Sequence, residues 1–143
     1  MRYKIPIEII HLEADNYHLI ASANFTDGTR GKFVIDTGAS KTVFDKNLAD
    51  YFDIDEHETE ELHSAGINDE PLVTSIGYIR PFSFGKMKIE NLKVALLDMA
   101  HINDLYSRAA GISVCGLIGS DFLLKYQAVI DYRRKRMVLN FSR

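Results

Sequence analysis

Phe33-Val34-Ile35-Asp36-Thr37-Gly38-Ala39-Ser40 is the stretch on which the reading of this chain turns. Three apolar residues in a row, two of them β-branched, make a buried strand. An acid, a hydroxyl, a glycine, a small residue and a second hydroxyl follow at once. Thr37, Gly38 and Ala39 force a tight turn, with Gly38 free to take backbone angles that other residues resist. The Asp36 carboxylate therefore sits at the tip of a buried strand, ringed by small hydrogen-bonding groups. Burying a charge is costly unless it is paired, so an acid in this place reads as one kept for chemistry. The plainer reading is a turn acid, with Ser40 and Thr37 where turns favour hydroxyls.

Working outward, residues 5 to 12 and 17 to 25 read as strands. Asp27 and Gly28 make a hairpin turn, because Asp-Gly supplies the positive backbone angles that tight hairpins need. Residues 31 to 35 return as the strand that delivers Asp36. Thr42, Val43 and Phe44 are extended, and Asp45 reads as the N-cap of a short helix over residues 46 to 52. The acids Asp53, Asp55, Glu56, Glu58, Glu60 and Glu61 read as a solvated surface segment. Residues 62 to 79 read as two extended arms around a turn-rich tip from Ala65 to Pro71. Phe82, Ser83 and Phe84 pair with a strand beginning at Met87, turning at Gly85 and Lys86. Residues 101 to 110 suggest a helical insertion ended by Gly111. Ser120 reads as the cap of a helix through Lys125, with Asp121 in its first turn, where the helix dipole favours an acid. Residues 128 to 132 and 137 to 141 close the chain as a hairpin about Arg133, Arg134 and Lys135. Many short strands with few helical stretches point to an all-β, barrel-like domain.

The loop Asp36-Thr37-Gly38-Ala39-Ser40 resembles the active-site loop of aspartic proteases. A second motif, Gly116-Leu117-Ile118-Gly119-Ser120-Asp121-Phe122-Leu123-Leu124, is similar to the segment of that family in which two apolar residues and a glycine pass behind the catalytic loop and enter a short helix. One Asp-Thr-Gly in 143 residues resembles the single-loop retropepsin branch. The resemblance implies an all-β, retropepsin-like closed barrel of short strands with one or two short helices and a flap hairpin, residues 1–143 forming a single domain. It implies an aspartic endopeptidase in which Asp36 is the acid/base and a second Asp36 comes from another copy of the chain. Thr37 would brace the two loops across the two-fold axis, Gly38 would allow close backbone approach, and Ala39 and Ser40 would complete the supporting loop. Ser40 would hydrogen-bond near Asp36, while Leu117, Ile118 and Gly119 would pack behind it. Ala65, Gly66 and Ile67 would lie at the flap tip over substrate; from the residues alone, a surface hairpin is an equal reading. Residues 98 to 115 look like an insertion relative to compact viral members. A catalytically silent module that binds peptide through the same groove is the alternative function.

Composition agrees with a globular chain and narrows the classes. Apolar residues make up 46% and charged residues 26%, with a formal net charge of −3. No strongly basic face follows, so nucleic acid is a poor partner. Arg133, Arg134, Lys135 and Arg136 read as a solvated hairpin tip. Cys115 stands alone, with no partner for a disulfide and no zinc cluster around it. The five histidines show no metalloprotease pattern; no metal or cofactor is expected. Asp-x-Gly-x-Ser also resembles the phosphate loop of actin-like sugar kinases, but those are far longer and carry a second phosphate loop that is missing here. No run is long enough for a membrane span, and residues 1 to 8 lack the apolar stretch of a signal peptide. A cytoplasmic location is the expectation, unless a leader has been removed. The expected partners are a peptide or protein substrate and a second copy of the chain.

Overall fold

The computed structural model describes residues 1–62 and 72–141. In chain order it has β1 (Arg2–His11), β2 (Tyr17–Phe25), β3 (Arg30–Ile35), β4 (Val43–Asp45), a 3-10 turn (Ala49–Tyr51), β5 (Phe52–Leu62), β6 (Leu72–Ile79), β7 (Phe82–Phe84), β8 (Met87–Ile89), β9 (Leu92–Leu97), α1 (Ala100–Ala110), β10 (Gly116–Ile118), α2 (Ser120–Lys125), β11 (Val129–Asp131) and β12 (Arg136–Asn140). The mostly-β character, the short helices and the hairpin turns agree with the sequence reading. Gly28 takes φ +88° in the β2–β3 turn and Gly85 takes φ +55° between β7 and β8. Gly111 ends α1 in the left-handed region, its N–H donating to the Ser107 carbonyl and the Ile112 N–H to the Tyr106 carbonyl.

The strands run in one sheet, ordered β11-β12-β1-β2-β3-β10-β4-β9-β6-β5, with β7 attached to β2 and β8 to β7. The expected closed barrel is not formed: among the described residues β11 and β5 end the sheet as unjoined edges. Charge on the outer strand gives the physical reason. Asp53 and Glu56 on β5 are exposed, and Asp55 and Glu58 are half-exposed. The strand is also irregular in register between Asp55 and Thr59. Acidic side chains and a bulge are what an edge carries to discourage further pairing. Asp53 and Glu56 are solvated, as the composition indicates, and the run lies on a paired strand. Its alternate backbone groups bond to β6, from Phe52 opposite Ile79 to Leu62 opposite Leu72. The expected second arm is met by β6, but the strand that pairs with it begins at Phe52, well before the expected start at residue 62. Ala65, Gly66 and Ile67 lie outside the described residues.

Two apolar clusters fill the interior. The larger holds Ile5, Phe25, Phe33, Phe44, Phe84, Ile118, Phe122 and Met137, among others. Within it the rings of Phe25, Phe33, Phe44, Phe82 and Phe84 meet at centroid distances of 5.3 to 6.3 Å, the range that tilted and edge-to-face pairs prefer. The smaller cluster joins Ile20, Val34, Val43, Ala95, Met99, Tyr106 and Val114, which seats α1 on the sheet. Asp45 corrects the sequence reading. It ends β4 and caps no α-helix; its Oδ1 accepts from the backbone and side-chain nitrogens of Asn47, at 3.1 and 3.0 Å. The residues after it make only the 3-10 turn Ala49–Tyr51 before β5 begins, and Oδ1 also accepts the Met99 N–H at 3.4 Å.

Candidate functional site

The Asp36 loop is built where an early hairpin meets a late strand. β10 inserts between β3 and β4, parallel to the first and antiparallel to the second: Leu117 pairs with Val34 and with Val43, and Ile118 with Ile35. Gly116 permits this insertion, because a Cβ there would lie 2.2 Å from the Val43 carbonyl oxygen. The Asp36 N–H donates to the Ile118 carbonyl at 2.9 Å, which carries the strand pairing one residue past β3. The chain then folds back: Ala39 N–H donates to the Asp36 carbonyl at 3.1 Å and Ser120 N–H to the Ala39 carbonyl at 2.7 Å.

The carboxylate of Asp36 is half-buried and accepts the Gly38 N–H at 3.0 Å. Thr37, Gly38 and Ser40 are exposed, and Ala39 is half-buried. Gly38 is not among the residues with positive φ. A Cβ there would meet Asp36 Oδ1 at 3.4 Å, an ordinary contact, so neither backbone angle nor crowding within one copy demands glycine. Ser40, expected to hydrogen-bond near Asp36, makes no such bond. Ile118 and Gly119 are buried behind the loop and Leu117 is half-buried. Gly119 is needed for close approach: a Cβ would sit 2.7 Å from the Lys41 carbonyl carbon and oxygen and 2.8 Å from the Ala39 oxygen. Gly119 also precedes α2 as its N-cap, so Ser120 is the first helical residue and not the cap.

A brace that the sequence reading missed lies beneath the loop. Thr42 is fully buried. Its hydroxyl donates to Asp121 Oδ1 at 2.7 Å and accepts the Gly119 N–H at 3.1 Å, while its own N–H donates to Asp121 Oδ2 at 3.1 Å. One hydroxyl thus joins the chain just after the Asp36 loop to Gly119 and to the helix that follows it. The available signal was a hydroxyl set directly before the apolar pair Val43-Phe44, with an acid two residues after Gly119.

Beside Asp36 opens a cleft of about 460 Å³. Val34, Ile35, Asp36, Thr37 and Leu117 line one side, and Ile102, Leu105 and Tyr106 of α1 face them. Tyr106 is 3% exposed, and its hydroxyl lies 2.6 Å from His18 Nδ1. Burial, and then the negative charge of Asp36, raise the Tyr106 pKa above its ordinary value. The phenol therefore keeps its proton, and its hydroxyl is hydrogen-bonded to the His18 ring. Nothing in the sequence links two residues 88 positions apart, so neither was expected here. Cys115 is buried and unpaired, and burial pushes its thiol pKa well up, which makes it a poor nucleophile. Among the described residues no three His, Cys, Asp or Glu side chains converge as a metal site would require.

The comparisons bear on this geometry. Among solved structures the chain is similar to a retropepsin-like aspartic protease from Rickettsia conorii, at 19% identity, covering 99% of this chain and 92% of that one, with a TM-score of 0.54. It is also similar to the retroviral protease-like domain of Ddi1 from Leishmania major, at 15% identity, 87% and 92% coverage and a TM-score of 0.49. No curated protein matches the chain. The sequence profile of one family, aspartyl protease, matches residues 21–122, a span that holds both the Asp36 loop and the β10 strand behind it. By that match over more than half of its length, and with a retropepsin-like fold, this chain belongs to the aspartyl protease family.

Proposed function

We propose that the chain is an aspartic endopeptidase that works as a homodimer, each copy lending its Asp36 to one catalytic water. The observation that carries this reading is the presentation of Asp36: a carboxylate at a strand tip, fixed by main-chain bonds to Ile118 and Gly38, beside a loop whose Thr37 and Gly38 are open to the outside. A single carboxylate cannot both take a proton from water and give one to the peptide carbonyl oxygen. Two carboxylates set against each other can. Like charges so close cannot both ionise, so the pair holds one proton between them, and one partner is a base while the other is an acid. The pair titrates as a unit, so neither acid has a pKa of its own. The water adds to the carbonyl carbon as its proton passes to the ionised carboxylate. The protonated carboxyl gives its proton to the carbonyl oxygen. Collapse of the tetrahedral adduct returns the shared proton to the dyad and protonates the leaving amine. The scheme calls on no metal or cofactor.

A two-fold axis beside Thr37 supplies the second acid, and twofold dimers are the commonest closed oligomers. Thr37 braces loop against loop. Gly38 leaves room beside the carboxylate, and Leu117, Ile118 and Gly119 hold the loop from behind. The hairpin arms of β5 and β6 lead to Ala65, Gly66 and Ile67, which we place over the bound peptide. Asp36→Asn keeps the shape and removes the base, so peptide hydrolysis should fall by at least the roughly 10²–10⁴-fold that acid–base help supplies. Activity per chain should also fall on dilution in step with dissociation followed by sedimentation. Equal hydrolysis by Asp36→Asn, or full specific activity in a strict monomer, overturns the scheme.

A further inference from the structure

A second hollow shares no lining residue with the Asp36 cleft. It opens between the turns on either side of β8 and the end of α2, and holds about 960 Å³. Its floor is aromatic and soft: Tyr3 of β1, Met87 of β8, Tyr126 just after α2 and Phe141 just after β12. Met87 and Tyr126 are 1% and 5% exposed, so the floor is recessed, while half-buried Tyr3 and Phe141 keep apolar surface open to a ligand. The rim carries Lys86, Lys88 and Lys125, all exposed, against one acid, Glu90. Lys88 is already matched, its Nζ lying 3.0 Å from Glu90 Oε1. Among the described residues no carboxylate pairs with Lys86 or Lys125. Lys125 Nζ stands instead 5.4 Å from the centre of the Tyr126 ring. Two cations without a local counter-charge thus flank one hollow, in a chain whose net charge is −3.

We propose that this hollow docks an acidic peptide segment of a partner protein. An apolar side chain of the segment covers Tyr3 and Phe141, and its carboxylates lie on Lys86 and Lys125. The site stands apart from the endopeptidase reading and needs no catalysis. Charge selects the sign of the partner: the two lysines attract carboxylates and repel Lys and Arg, and such rim charges govern encounter and choice of partner. Size selects a chain over a single ion, since the volume is near the top of the roughly 300–1,000 Å³ of ligand sites. The recess selects a peptide over a membrane, because a flat anionic surface would meet the lysines and leave the floor wet, forgoing the gain from covering it. Packing disfavours a nucleobase. The Tyr126 ring is already engaged by Phe122 at 4.7 Å, Phe141 at 6.0 Å and Lys125, so a base would have to displace one of them to stack.

The test is binding of fluorescein-labelled short peptides to the full chain, read by anisotropy. One set places Glu and Asp around a central Phe or Leu, a second replaces that centre by Gly, and a third replaces the acids by Lys. Each arm is repeated with Asp36→Asn, so that cleavage of a probe cannot pass for weak binding. The double variant Lys86→Glu, Lys125→Glu changes exposed side chains only, and its thermal unfolding should match the wild type. The acidic peptide with an apolar centre should bind best and the lysine peptide should not bind. Raising salt from about 0.03 to 0.3 M should weaken the complex. The double variant should weaken it about tenfold or more, since two attractions become two repulsions. The Gly-centred peptide should also bind more weakly. Absence of binding, equal binding of acidic and basic peptides, or binding untouched by the double variant overturns the proposal. So does binding to phosphatidylserine vesicles or to oligothymidylate with none to the peptides. Self-association in sedimentation that the double variant abolishes, again without peptide binding, gives the surface to a second copy and overturns it too.

Discussion

The Asp36 loop and helix α1 face each other across one cleft but are secured by different means. The loop is tied mainly by the backbone. Asp36, Ala39 and Ser120 donate in turn to Ile118, Asp36 and Ala39, and the buried Thr42 hydroxyl locks the crossing. The helix is held mainly by side-chain tips: Asp98 accepts the Ala100 N–H, Asn103 bonds Val114 on both sides, and Tyr106 reaches His18. A backbone lattice changes little when side chains change. Tips can be exchanged one by one. The difference places fixed geometry under the Asp36 carboxylate and exchangeable contacts under the helix across from it.

One substitution made in both regions tests this most sharply. Gly119→Ala puts a Cβ against the main chain of Lys41 and Ala39, which cannot yield without moving the loop. We expect a loss of about 3 kcal/mol in urea unfolding, with hydrolysis lost alongside. Gly111→Ala has open space around it and meets only the strain of φ +66°, so about 1 kcal/mol should go. Equal losses would erase the contrast. Thr42→Val comes next. It keeps the volume but leaves the Gly119 N–H without its acceptor and takes the hydroxyl donor from Asp121 Oδ1, for about 2 kcal/mol by the same measurement. Ser40→Ala, on the exposed side of the loop, should stay within about 0.5 kcal/mol.

Smaller effects belong to the helix. Tyr106→Phe removes one hydrogen bond between part-buried groups and should cost about 1 kcal/mol in thermal or urea unfolding. Acid should act more weakly still. The Ala100 N–H first, and then the Asn47 side chain, lower the Asp98 pKa from its ordinary 3.8. A carboxylate whose folded pKa is depressed contributes stability above its unfolded value, and that contribution is lost as pH falls through the folded one. Protection of the first-turn amides of α1, taken relative to their intrinsic exchange rates, should therefore fall as pH drops below the ordinary carboxylate range, and Asp98→Ala should remove that step.

Much of this was legible in the sequence because it is local. Asp27-Gly28, Gly85 and Gly111 mark turns and a helix end through backbone angles that few residues tolerate, and each stands where its neighbours predict. The apolar run before Asp36 announces a buried strand at any distance from the rest of the chain. What could not be read depends on pairings between distant segments. Whether the sheet closes is decided by what lies beyond β5 and β11. The acids of β5 look the same in a solvated loop and on a guarded edge. Asp45 and Ser120 both satisfy the rule for a helix cap; burial and neighbouring amides give the first to a turn, and one residue of offset gives the second's place to Gly119. Thr42 with Asp121, and His18 with Tyr106, are meetings of residues 79 and 88 positions apart.

The insertion of β10 between β3 and β4 also sets an order of events during synthesis. Chains emerge from the ribosome N-terminus first, and a contact of long sequence separation waits for its later half. While residues 116 to 121 are still unmade, Asp36 has no Ile118 carbonyl to hold its amide and Thr42 has no Asp121 to grip. The fixed geometry of the loop is therefore a late acquisition: it arises only once residues 118 to 121 exist to hold it.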